Sequence, residues 1–137
     1  MKQQDAIFIK ISNRFRENMS KEELYDESRG IWKVDANKVK TVKYAFVIYK
    51  NIIKEVYYID EWHKAYSTPY YYRTNKTDRY DPERKEFTGK VASDIRDCFI
   101  EKSVAKYYKK GAANPIKYMN FEELYKDFCN EKFIYPE

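Results

Sequence analysis

Two tryptophans are the side chains here best suited to hold a flat ligand: Trp32, in "RGIWK" between Arg29 and Lys33, and Trp62, in "DEWHK". An unpaired or flipped base needs apolar faces to stack against and a few polar groups along its edge, which Trp, Tyr and Phe supply beside Asn, Asp or basic residues. Phe87, in "KEFTGK", and Tyr70 and Tyr72, in "STPYYYR", are the further candidate rings. Each tryptophan equally suits an apolar core, since tryptophan is highly buried on average. Phosphate contact would fall to basic residues, with Arg29 and Lys33 at a helix-to-strand junction. Lys102, Lys106, Lys109 and Lys110 are spaced to share one broad helical face. Asn114, in "GAANP", adds an amide and nearby backbone donors.

Catalytic patterns are sparse. No GxSxG, Walker loop or HExxH occurs, there is no CxxC pair, and the single histidine, His63, lies beside Glu61 in a segment that reads as a loop. Glu55 with Asp60, and Glu86 with Lys90, are the residue types of a metal-dependent nuclease, kept as an alternative. No residue is assigned as catalytic or as a metal ligand, and no cofactor is expected.

Charge is segregated along the chain. Residues 101–118 carry five lysines against Glu101 alone, whereas residues 119–137 carry two lysines against five acids. With a net charge of +5, this asymmetry suggests an anionic partner, RNA or DNA, at the first segment. A solvated lysine face is the competing reading. Tyrosine-rich surfaces also suit a protein partner, so a protein-interaction or regulatory module is a second class.

These side chains must be positioned by one domain spanning residues 1–137, because a chain of this length buries one sizeable core. Apolar residues reach 43% and aromatic residues 18%, enough to fold. No apolar run is long enough to span a bilayer and the N-terminus lacks a signal-peptide core, which points to a cytoplasmic protein with no membrane partner and with Cys98 and Cys129 reduced. "AIFIKIS" alternates as a first strand, and Ser20 with Glu23 forms a capping box for a helix stopped by Gly30. "GIWKV" is a short strand. "TVKYAFVIY" and "IIKEVYYI" form a hairpin turning at Lys50–Asn51, after which "DEWHKA" leaves the strand. A long connection at about 64–85 leads to a strand in "KEFTGKVA". Residues 94–110 are expected as a helix, "PIKYM" as a last strand, and about 121–131 as a C-terminal helix capped by Asn120. This order predicts an α+β fold with a curved, mainly antiparallel sheet or small β-barrel and flanking helices.

The stretches "ELYDESRGIWKV", "KYAFVIYKNIIKEVYYIDEWHKA", "EFTGKVA" and "EKSVAKYYKKGAANPIKYMN" resemble a small bacterial family of domains. Their strand pattern is similar to that of the PUA-like superfamily, which contains EVE, ASCH, YTH and SRA-type domains. The resemblance covers about residues 5–120. It implies a curled barrel that binds RNA or DNA and, in several members, receives a modified base in an aromatic pocket. The expectation is therefore a non-catalytic nucleic-acid-binding domain.

Overall fold

The computed structural model describes residues 3–12, 14–72 and 83–129. Its strands are β1 (Ala6–Lys10), β2 (Trp32–Lys33), β3 (Tyr44–Tyr49), β4 (Ile52–Lys64), β5 (Arg84–Val91) and β6 (Ile116–Met119); its helices are α1 (Lys21–Ser28) and α2 (Phe121–Cys129). One sheet runs in the order β2-β5-β4-β3-β1-β6, with β1 and β3 parallel and all other neighbours antiparallel. It curls into a nearly closed six-strand barrel whose open edges, β2 and β6, face each other across a seam. The Asp35 backbone N–H, just past β2, donates to the Tyr118 hydroxyl of β6 at 2.9 Å. The small barrel with flanking helices agrees with the fold class read from the sequence. No helix among the described residues is long and apolar enough to cross a membrane.

Local signals explain most elements. Ser20 accepts from the Glu23 N–H at 3.0 Å and the Glu23 carboxylate reaches back to the Ser20 N–H, so the capping box opens α1. Lys50 and Asn51 both take positive φ, 49° and 64°, the geometry of a tight hairpin turn. Asn120 caps α2 through the Glu123 N–H at 3.0 Å, and the buried Asp5 carboxylate adds a bond from the Phe121 N–H at 2.7 Å. A carboxylate at that end also complements the helix dipole.

Two apolar layers lie on the two sides of the sheet. Phe8, Phe46, Ile53 and Val56 pack with Phe99, Phe121 and Leu124 from the C-terminal half. Ile7, Ile9, Val47, Tyr57, Ile59 and Phe87 pack with Val34 and Val39, and with the half-buried Trp32 and Trp62. Bulges decide which residues enter each layer. The β4–β5 register shifts between Ile59 and Glu61, leaving Asp60 without a cross-strand partner. A strand alternates sides every residue, so one extra residue at Asp60 puts Trp62 on the same side as Tyr57 and Ile59, where strict alternation would have turned it away.

Three expectations need correction. The strand through Ile59 does not end at "DEWHKA"; β4 continues to Lys64 because residues 61–64 pair with β5. Residues 94–110 are not a helix but hold two single 3₁₀ turns, Arg96–Cys98 and Ala105–Tyr107. The segment between them lies against the β3–β4 hairpin instead: Glu101 N–H bonds Ile53 O, Ile53 N–H bonds Lys102 O and Val104 N–H bonds Asn51 O, at 2.8–3.0 Å. Those bonds use backbone groups that a helix would need, and Val104 is buried by them. Finally, Cys98 and Cys129 are joined as a disulfide, with Cα atoms 5.5 Å apart, so the free-thiol expectation fails. The bond ties the first 3₁₀ turn to the end of α2.

Candidate functional site

The seam holds a cavity of about 760 Å³ bounded by the two edge strands and their flanks. Trp32 lies half-buried on one side, with its indole N–H bonded to the Ser28 carbonyl at 2.7 Å, which fixes the ring's orientation. Lys33 follows it, exposed and paired with Glu83 at 3.0 Å. Asn114 and Ile116 form the opposite wall with Tyr118. Asn114 spends its side-chain oxygen on the Ile116 N–H at 2.9 Å, leaving its amide donors without a partner among the described residues. Arg84 and Lys85 complete the cationic lining. Asp35 and Glu83 also line it, so the cavity is close to charge-balanced and owes its character to shape and rings rather than to field.

Trp62 lies in a neighbouring cavity of about 410 Å³, which shares Ala36 and Lys85 with the first. Its ring meets Phe87 edge-on at 5.4 Å, and its indole N–H is buried without a hydrogen-bond partner. The two tryptophans thus occupy one side of the sheet in adjacent cavities, with Lys85 between them. Lys85 and Arg84 were missed by the sequence reading. Lys85 was within reach of it, because strand alternation puts a residue two before Phe87 on the Phe87 side.

The other sequence candidates are dispersed. Phe87 is fully buried between Tyr57 and Trp62 and backs the site as core. Arg29 is buried and committed: its guanidinium donates to Thr68 Oγ1 at 2.7 Å and the Pro69 carbonyl at 2.5 Å, and it pairs with Asp26 and Glu86. Tyr70 is buried with its ring 3.9 Å from that guanidinium, whereas Tyr71 and Tyr72 are 78% and 52% exposed. This strap, residues 66–72, meets Glu86, whose neighbours Lys85 and Phe87 belong to the tryptophan side. Successive β5 residues point to opposite sides, so the strap lies across the sheet from both tryptophans. The rest of the long connection, residues 73–82, lies outside the described residues.

The lysines also separate. Lys106 pairs with Asp127 at 3.5 Å, Lys102 sits exposed beside the hairpin, and Lys109 and Lys110 are exposed after the second 3₁₀ turn. Without the helix there is no shared face.

Of the candidate acids of a nuclease, Glu55 and Glu86 are engaged within the fold, whereas Asp60 is exposed at the β4 bulge. Glu55 is buried and accepts from Arg96 at 2.7 Å and 3.3 Å, which holds the arginine protonated more firmly than usual. Glu86 is fully buried and binds the strap. His63, on β4 rather than in a loop, shares a hydrogen bond with Thr88 at 2.9 Å. No group of three or more His, Cys, Asp or Glu among the described residues could hold a metal ion.

The chain matches no family model, no curated protein and no solved structure.

Proposed function

We propose that this chain is a non-catalytic nucleic-acid-binding domain of PUA-like type that takes an unpaired or modified base of RNA or DNA into the seam cavity. The observation behind it is one convergence: Trp32 with its neighbour Lys33, and Asn114 from a distant part of the sequence, line a single cavity large enough for a base. Trp32 offers the stacking face. Asn114 offers free amide donors for a base edge or phosphate, and Lys33, Arg84 and Lys85 offer cations at the rim.

Fluorescence anisotropy with short labelled RNA and DNA strands across a salt series tests this reading. Binding that weakens as salt rises is the expected result, and no binding even at low salt would sink it. Trp32→Ala is expected to lower affinity by about ten- to a hundredfold, the cost of one lost stacking platform. Trp32→Phe should retain most of the affinity. Equal binding by wild type and both variants, with the fold checked by thermal melting, removes Trp32 from the site.

A second reading rests on a different observation. Tyr66, Tyr71 and Tyr72 are exposed together on the strap, and tyrosine is enriched in protein interfaces. Replacing Tyr71 and Tyr72 with serine should abolish capture of a stoichiometric protein partner from the native host while leaving oligonucleotide binding intact. Loss of oligonucleotide binding in that variant would instead count against a separate protein surface.

A further inference from the structure

We propose that the ligand of the seam is a single strand that continues across edge strand β6 onto a lysine cluster formed by Lys10, Lys109, Lys110 and Lys117. This rests on the reading of the seam as a base-binding cavity. β6 has two different sides: Ile116 and Tyr118 line the cavity, while Lys117, between them, turns the other way and pairs in register with Phe8. There it meets Tyr108. Lys10 Nζ stands 3.9 Å from the centre of the Tyr108 ring and Lys117 Nζ 6.0 Å from it.

Lys109 and Lys110 belong to the same corner. Lys10 Nζ donates to the Ala112 carbonyl at 3.4 Å, and the Ala112 N–H closes a turn onto Lys109 O at 3.1 Å. Gly111 makes that turn possible with φ 83°. The cavity is close by along the chain, since the Lys10 N–H bonds the carbonyl of Pro115, which lines the seam with Asn114.

The charge of this corner is uncompensated. Residues 105–118 contain no Asp or Glu, and none of the four ammonium groups has a carboxylate partner among the described residues, whereas nearby Lys106 is paired with Asp127. Clustered like charges without counter-charge raise the local concentration of a polyanion and are relieved by binding one.

The arrangement selects for a single strand. A cavity between two edge strands admits a base only if it has left its pair, which a single strand provides at no unstacking cost. A backbone that enters the seam and then turns over β6 must also bend sharply, as a single strand does and a duplex resists.

The test compares a labelled single strand of about twelve nucleotides with its duplex, by anisotropy across a salt series. The single strand is expected to bind at least about tenfold tighter, as unpairing is charged only to the duplex. Lys10→Ala with Lys117→Ala should lower the magnitude of the salt slope by about 1.4, about 0.7 for each lost single-strand phosphate contact. Trp32→Ala, in contrast, should weaken binding with the slope unchanged. Should removing the Lys10–Tyr108 contact unfold the chain, Lys109→Ala with Lys110→Ala, on an exposed turn, is expected to give the same loss of slope. Duplex binding equal to single-strand binding, or an unchanged slope in a folded lysine variant, overturns this proposal and leaves the seam reading standing. Absence of all binding overturns both.

Discussion

Replacing Glu86 with alanine is expected to destabilise the protein by about 3–5 kcal/mol, the cost of breaking a buried ionic network on one side. Glu86 is fully buried on β5 and accepts from the Tyr66 N–H at 2.6 Å, the Thr68 N–H at 2.9 Å and the Thr68 hydroxyl. Asp26 does the same work from α1, accepting from the Tyr71 and Tyr72 N–H groups at 2.8 Å and 2.9 Å. Arg29 sits between the two carboxylates and holds the strap by the Pro69 carbonyl. Gly30 is part of the design, because a Cβ there would stand 2.8 Å from the Glu86 Cβ.

A second variant separates the two roles of Glu86. If its value lay mainly in pairing with Arg29, Arg29→Met combined with Glu86→Leu would recover stability, as apolar replacement of a buried pair often does. The strap's N–H groups argue otherwise, because those of Tyr66 and Thr68 would lose a charged acceptor at about 1–3 kcal/mol each. Urea denaturation decides: a double variant as stable as wild type would refute the strap-holding role. Oligonucleotide affinity should change little in Glu86→Gln, since the strap and the tryptophans lie on opposite sides of β5.

Cys98→Ser with Cys129→Ser is expected to cost about 3–4 kcal/mol, because the bond closes a loop of 31 residues and removes that freedom from the unfolded chain. For a domain of this size the melting temperature should fall by about 10–15 °C. Calorimetry with and without dithiothreitol gives the same comparison in the wild type. Identical melting of oxidised, reduced and double-serine protein would show that α2 is held by packing alone. That packing is substantial, since Phe121 stacks on Tyr44 at 3.9 Å and Phe128 meets Phe99 at 5.7 Å.

Much of this architecture was legible where the signal is local. The capping box at Ser20, the Asn120 cap, the Lys50–Asn51 turn and the strand-forming runs of β1, β3 and β5 need only a few neighbouring residues to specify them. Residues 94–110 misled for the opposite reason. Their spacing suits a helix, but the hairpin offers backbone partners to residues 101–104, and tertiary hydrogen bonds outweigh a modest propensity.

The candidate site divides along the same line. Composition and residue type alone determined that this chain has rings able to stack, a lysine-rich segment free of acids and no recognisable catalytic signature. Which of those residues meet was decided by the tertiary structure. One unpaired residue, Asp60, sets the side on which Trp62 lies; curling of the sheet brings Asn114 to Trp32; and burial among carboxylates takes Arg29 out of reach of any phosphate. Each of these depends on contacts between residues distant in the chain, whose register and closure no local pattern encodes, because side-chain direction in a sheet reverses with every residue inserted.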